Sequence, residues 1–427
     1  MKRISLLVIA LCAASVIVNG QIVRQGIIGV GQAPPVTGGS DAFFDDNPLH
    51  DIFLTIKTKD WQSLKDNFLD NTYYPVDFRW RDQTIRNSGI RSRGTGSRSG
   101  VKPGLRIDFD RYVAGQNFFE LKSFVLRNNT QDASSMHERL TMQLFRRLGL
   151  LAPRVAHTKL YINNEYAGLF AIVESIDKTF LQKSVGEDSG YLFKYDYPVN
   201  GTPYYFEDRG SAPESYVPLP FKPETHETDS HPEIVVGLVQ AINQTPDASF
   251  RSVMSGYLDL VKFVRHVAVE QFVGDLDGFV SSYGGMNNYY FYRFNNRNLF
   301  TFIGWDKSEA FKSGTGGDVF RGINGVPDTQ KNRLLARALS FSDVKTAFLD
   351  ALLECVRSAN EVVAGSSDRR GWLEREVERE YRQIRDAERA DSLKPFSNDE
   401  FEQEVRTLTA FAQGRGAVVT SQVAAAR

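Results

Sequence analysis

Apolar and polar positions change rhythm partway along this chain. In the first part a period of two dominates. "HDIFLTI", "YPVDFRW" and "IRNSGIRSRG" alternate as strands do, because a half-buried strand turns every second side chain to solvent. "KDWQSLKDNFL" between the first two reads as a helix, and "RDQT" as a turn. Further strands are predicted at 105–109 and within "FELKSFVLRNN". The first strong helical period covers 134–148, where Met136, Leu140, Leu144 and Leu148 make one stripe. Ser135 and Glu138 fit a capping box there, and Gly149 and Pro153 end the helix. "VAHTKLYINNEYAGLFAIVES" then reads as a β-hairpin about Asn163 and Asn164.

Beyond that hairpin the helical period takes over. "IDKTFLQKS", "PEIVVGLVQAINQ" and "LDLVKFVRHVAVEQFVGD" read as helices, and several more follow residue 331. One hairpin interrupts them, "NNYYFYRF" with "LFTFIGW". Two stretches carry neither period: 21–47, rich in Gly and Pro and read as an exposed flexible leader, and 197–232, whose seven prolines predict a long irregular loop. The expected fold class is therefore α+β in a two-lobed layout. A β-rich N-lobe (48–175) with one prominent helix joins a mostly helical C-lobe (176–427) near Glu174–Asp177, with a cleft between them suited to a ligand.

Composition narrows the possibilities. The formal charge of −1 is spread along the chain in both signs, which gives no reason to expect nucleic acid or an anionic membrane as partner. Residues 1–20, "MKRISLLVIALCAASVIVNG", read as a secretory signal peptide, so the protein is expected to be secreted, periplasmic or at the cell surface. No later segment approaches the ~20 apolar residues of a membrane span. Of the two cysteines, Cys12 leaves with the signal, and Cys355 is expected buried on a helix without a disulfide partner. "EREVEREYRQIRDAER" reads as a solvated charged face.

The chain has no HExxH, no GxSxG and no GxxxxGK[ST], which removes the usual anchors for zinc hydrolysis, serine acyl transfer and P-loop chemistry. The parts of a phosphoryl-transfer site are present instead. "RSRGTGSRSGVKPGLRIDF" sets Gly94 and Gly96 in a loop between strands, where backbone N–H groups approach phosphate, with Arg93, Arg98, Lys102 and Arg106 beside them. Glu138 explains itself as a cap, or else orients a cation from the preceding strand, Lys102 or Arg106, as a helix glutamate does in protein kinases. Asp277, Asn288 and Asp306 lie at a helix end, a hairpin entry and a hairpin exit. Converged, they supply a base, a metal-binding amide and a metal-binding carboxylate for a hard cation such as Mg²⁺. Each also has a commonplace role in a turn or cap; together with the cationic glycine loop they point to function.

These same segments resemble the spore-coat protein H (CotH) kinase family, a group of secreted atypical protein kinases. The resemblance covers roughly residues 50–310, and its most specific stretch runs through "LGLLAPR" and "LYINNEYAGL". It implies a reduced protein-kinase-like fold, ATP with Mg²⁺ or Mn²⁺, and transfer of the γ-phosphoryl to Ser or Thr of an extracytoplasmic protein. Asp277 matches the acid that takes the substrate hydroxyl proton, and Asn288 and Asp306 match the metal ligands. Glu138 with Lys102 or Arg106 matches the phosphate-gripping pair, and the backbone from Glu174 to Ile176 lies where adenine docks. In one place the chain departs from the family: "WDKSEAF" has Ser308 where a second acid is usual, and Lys307 puts a positive charge beside the metal site; either the second acid is dispensable, or Glu309 substitutes, or metal binding is weakened. A pseudokinase acting as a surface binding protein is the alternative reading.

Overall fold

The alternating segments of the first part close on themselves. In the computed structural model, which describes residues 39–196 and 202–427, seven strands form a barrel: β1 (His50–Thr55), β2 (Tyr74–Trp80), β3 (Gln83–Ser92), β4 (Leu105–Asp108), β5 (Ser123–Arg127), β6 (Val155–Ile162) and β7 (Glu165–Glu174). Their order is β1-β2-β3-β4-β5-β7-β6, and a parallel pairing of β1 with β6 completes the ring while the other pairings are antiparallel. Closure leaves no sheet edge to pair with another chain. Inward-pointing Ile52, Leu54, Phe78, Ile90, Ile107, Phe124 and Ile172 fill the barrel. The intervening Val125, Ala171 and Val173 point outward yet are equally buried, in a second core beneath the helices. Asn163 and Asn164 take positive φ (53° and 71°), the geometry of the tight hairpin turn expected between β6 and β7.

The described end of the expected leader, residues 39–47, does not stay outside this core. Residues 1–38 lie outside the described residues, and with them the expected signal peptide, but the short helix α1 (Ser40–Phe43) carries Phe43 into the barrel. Its ring packs edge-to-face against Trp80, Phe118 and Phe124 at 5.5, 5.1 and 5.0 Å. Phe43→Ala is expected to cost about 3–5 kcal/mol in urea unfolding. A loss below about 1 kcal/mol would show that the segment caps the barrel without supporting it.

α2 (Thr58–Asp66) lies outside the barrel near β2 and β3. The remainder combines a four-stranded antiparallel sheet with helices. Its strands β8 (Tyr191–Tyr195), β9 (Phe221–Pro223), β10 (Tyr289–Arg293) and β11 (Phe300–Gly304) run in the order β11-β10-β8-β9. The helices are α3 (His137–Arg147), α4 (Lys178–Val185), α5 (Glu233–Gln244), α6 (Asp247–Met254), α7 (Leu260–Val273), α8 (Arg333–Leu339), α9 (Ser342–Ala359), α10 (Trp372–Ala390) and α11 (Asn398–Ala426). The proline-rich stretch, apart from 197–201, which are not among the described residues, is not a loose loop. It contributes β9 and buries Tyr204, Phe206, Tyr216 and Phe221 completely, so aromatic burial outweighs the irregular backbone. Cys355 is buried as expected. No described helix is long and apolar enough to cross a membrane.

Two expectations about charged residues are corrected. No capping box forms at α3: the Ser135 hydroxyl donates to Glu388 at 3.3 Å, and Asp132 accepts the His137 N–H at 2.8 Å, which frees Glu138. Nor is the charged run on α10 a solvated face. Glu380 and Glu388 are buried, and Arg139 of α3 reaches Glu376, Glu380 and Asp46 at 3.0, 2.9 and 2.7 Å. A buried carboxylate of this kind is stable because a cation from another element meets it.

Candidate active site

The site begins where α7 stops. Gly274 takes φ 63° to end the helix, and the chain turns through Asp275. Asp275 is buried and accepts the backbone N–H of Asp277 at 3.0 Å. The loop then folds back, with Gly284 and Gly285 at positive φ, until Asn287 and Asn288 reach Asp277. Both amide nitrogens donate to Asp277 Oδ2, at 2.9 and 3.0 Å, and Ser281 Oγ donates to Oδ1 at 3.2 Å. Burial, reinforced by Asp275 and resisted by the Asn287 amide, pushes the Asp277 carboxyl up to about 7. Asp306 adds to that pressure, so the two acids share one electrostatic environment. Asn288 donates its amide nitrogen to Asp277 and takes φ 56°, while its Oδ1 accepts nothing among the described residues.

Asp306 follows β11 and Trp305, again in the left-handed region at φ 51°. Its Oδ1 meets Arg127 Nη1 at 2.6 Å. Arg127 Nε lies 3.4 Å from Glu138 Oε1, and Glu138 Oε2 accepts the backbone N–H of Lys307 at 2.6 Å. A strand end, a helix and the turn after β11 are thus joined through one guanidinium. Burial opposes the charge on Asp306, yet Arg127 and Arg93 outweigh it and hold its carboxyl below the usual range. Burial raises the Glu138 carboxyl, with Arg127 opposing. Arg93 and Arg127 both lie against the Trp305 ring, at 5.8 and 5.2 Å from its centre. Burial, and then Arg127, bring the Arg93 guanidinium down to about 10, so it stays charged at neutral pH.

Sequence reasoning reached some of these residues and misplaced others. Asp277 and Asn288 meet directly, and Asp306 acts on Asp277 through its charge. Neither Lys102 nor Arg106 pairs with Glu138; Arg127 does. Lys102 is buried against Asp391 at 2.6 Å and the Leu169 carbonyl at 2.9 Å, which anchors the glycine loop to the end of α10. Arg106 donates to Ser123 Oγ at 3.0 Å, and that hydroxyl donates to Ser175 at 2.9 Å, so Arg106 lies beside the segment from Glu174 to Ile176. The Glu174 carboxylate is held by Arg154 at 2.6 and 3.0 Å, and Ile176 is buried. Gly94 needs its glycine, with φ 116° and Ser97 Oγ 2.7 Å from where a Cβ would stand, whereas Gly96 has room. Arg98 is spent on the carbonyls of Gly94, Phe68 and Asp70. Arg127 and Asp275 were missed. The signal for Arg127 was present, since it ends the strand just before the helix that bears Glu138.

Lys307 makes no ion pair with Asp306 among the described residues, though its Nζ does lie beside the expected metal site, 3.2 Å from the Asn288 carbonyl. Its side chain turns inward to Glu270 and Asp275, at 2.6 and 2.9 Å, and is fully buried. Glu309 is occupied by Tyr283 and Lys312, at 2.7 and 2.6 Å, while the Ser308 hydroxyl donates to Asp306 at 3.3 Å.

The donor set fits a phosphate-bearing ligand. Arg127 Nη2 is buried and makes no hydrogen bond, and the Arg93 guanidinium has no hydrogen-bond partner among the described residues. Such donors suit phosphate oxygens. The Asp306 carboxylate and Asn288 Oδ1 are the oxygens available to a hard cation. Among the described residues no three or more His, Cys, Asp and Glu form a metal cage, so a cation here would also lean on the phosphates.

Comparison with known proteins bears on this arrangement. The profile of the family described as CotH kinase protein matches residues 90–419, a span holding the glycine loop, Arg127, Glu138, Asp277 and Asp306. The chain belongs to that family. It is therefore a kinase-like protein. Among the family's curated proteins, the inner spore coat protein H of Bacillus subtilis (strain 168) is 23% identical over 368 residues, covering 86% of this chain and 95% of its own. A crystal structure of the Helicobacter pylori proinflammatory kinase CtkA aligns over 76% of this chain and 94% of its own, with 9% identity and a TM-score of 0.31, a likeness too slight to build on.

Proposed function

We propose that this CotH-family chain is an exported, ATP-dependent protein kinase that transfers the γ-phosphoryl group to a Ser or Thr hydroxyl of a surface, periplasmic or coat protein. The observation that carries this reading is the Asp306–Arg127–Glu138 chain set electrostatically against the Asp277–Asn288 pair. ATP supplies the phosphoryl group, and a divalent cation, Mg²⁺ or Mn²⁺, offsets the phosphate charge. Asp306 and Asn288 Oδ1 would hold the cation; Arg127 Nη2 and Arg93 would take phosphate oxygens, with Glu138 holding Arg127 in place. Asp277 accepts the proton of the attacking hydroxyl, kept in position by the amides of Asn287 and Asn288. The barrel would act as the nucleotide-holding lobe, with the loop at Gly94 and Gly96 over the phosphates and the backbone from Glu174 to Ile176 against adenine. The helical part would then be the catalytic lobe. Residues 1–20 would direct export.

A second reading, a pseudokinase that binds without turnover, is motivated by Ser308 in place of an acid, since the hydroxyl only hydrogen-bonds Asp306. One experiment separates the two. The chain without residues 1–20 is incubated with labelled ATP, Mg²⁺ or Mn²⁺ and a mixed protein acceptor, beside Asp277→Asn. Transfer by the wild type with a ~10²–10⁴-fold loss in the variant is expected. ATP with metal should raise the melting temperature of both proteins, because a ligand of the native state stabilises it. A shift without transfer favours the pseudokinase, and no shift sinks both readings.

A further inference from the structure

A cavity of about 210 Å³ opens directly beside the proposed catalytic loop, lined among others by Val280, Ser281, Ser282, Arg321, Gln330 and Asn332. Ser281 is the residue whose hydroxyl donates to Asp277, so this lining adjoins the proposed base. The space is smaller than the ~300–1,000 Å³ of pockets that enclose a cofactor-sized ligand, and it suits one or two residues of a polypeptide.

Two of its lining residues carry hydrogen-bond donors without partners among the described residues. Asn332 is only 6% exposed; its Oδ1 accepts the Leu335 N–H at 3.0 Å, while its Nδ2 donates to nothing among the described residues. A buried amide in that state is costly unless a ligand completes it. Arg321 braces the loop by donating to the Ser282 hydroxyl and the Asp275 carbonyl, and its Nε is likewise unpartnered. Both groups call for an acceptor oxygen.

The segment 330–333 separates this space from a second cavity of about 420 Å³, lined among others by Asp247, Lys331, Arg333 and Arg337. Lys331 and Arg337 have carboxylate partners, Asp328 and Asp247, both largely exposed at 85% and 97%. Arg333 makes no hydrogen bond or ion pair through its side chain among the described residues, and it is exposed. Across the two cavities the lining therefore holds four cations, Arg321, Lys331, Arg333 and Arg337, against one carboxylate, Asp247.

We propose that the two cavities form one track that seats the acceptor polypeptide, with its hydroxyl toward Asp277 and acidic residues running across 330–333. This proposal rests on the kinase reading for its orientation, but the binding it claims is separable from turnover. The test uses the chain without residues 1–20 and fluorescence anisotropy with two labelled probes, a peptide alternating Ser, Glu and Gly and one alternating Ser, Lys and Gly. The acidic peptide is expected to bind more tightly, and less so at high salt. The pair Lys331→Glu and Arg333→Glu should weaken it roughly tenfold while leaving the ATP-dependent thermal shift unchanged. Asn332→Asp keeps the cap of α8 and replaces the unpartnered donor by an acceptor; it should weaken the acidic peptide several-fold. Equal affinity for the two peptides, or an affinity that neither change alters, overturns the track. Acidic-peptide binding without phosphoryl transfer would count against the kinase reading alone. Transfer to a protein acceptor that neither variant slows would spare that reading and remove the track.

Discussion

Lys307→Met is expected to remove about 3–5 kcal/mol of folding stability, because it strands two buried carboxylates. Glu270 and Asp275 are 2% and 1% exposed, and Lys307 is the cation between them. Burial alone would drive the ammonium to lose its proton; Asp275 and Glu270 more than offset this and hold it well above its ordinary value. The same cluster organises the site. Glu270 also accepts the Phe279 N–H at 2.7 Å, Asp275 accepts the Asp277 N–H, and Lys307 Nζ lies 3.2 Å from the Asn288 carbonyl. Urea unfolding followed by tryptophan fluorescence measures the loss. Adding Glu270→Gln and Asp275→Asn to the variant should recover part of it, since no unpaired charge then remains. A cost below about 1 kcal/mol would mean that water or a rearranged neighbour satisfies the carboxylates.

Asp306→Asn is expected to lower phosphoryl transfer at least a hundredfold, about 3 kcal/mol of barrier. The effect should be accompanied by loss of the metal-dependent part of the ATP thermal shift. Asn is the informative replacement because residue 306 has φ 51°, where Asn is tolerated and Ala is strained. The variant keeps the shape and removes the charge that Arg127 and a cation would share. Arg127 retains Glu138, so the fold should hold. Transfer within a few-fold of wild type, with intact metal dependence, would exclude Asp306 as the metal acid.

How much of this was legible in advance follows from which interactions are local. The strands of the barrel, the hairpin at Asn163 and Asn164 and the stripe on α3 are written in short-range periodicity and turn chemistry. The placing of Asp277 and Asn288 was also readable, because only a glycine-bearing loop of ten residues separates them. Closure of the barrel was not, since β1 meets β6 across some hundred residues and nothing local to either strand names the other. Phe43 was hidden in the same way, an aromatic in a glycine-rich stretch whose pocket is built by distant strands.

Charged residues mark the boundary most clearly. Residue type announced that Lys102, Arg106, Arg127, Glu138 and Lys307 would be charged, and their spacing said roughly where along the chain they would fall. It could not say which charge meets which. Arg127 leaves the end of β5 toward Glu138 and Asp306, Lys102 turns away to Asp391, and Lys307 points inward beneath the acid it follows. Coulomb attraction and desolvation depend on distance and burial, quantities that exist only once separate segments have packed. The chain alone thus declared its periods, its turns and its chemical inventory. The tertiary structure decided the pairing of its charges, because burial leaves each one few places where it can be neutralised.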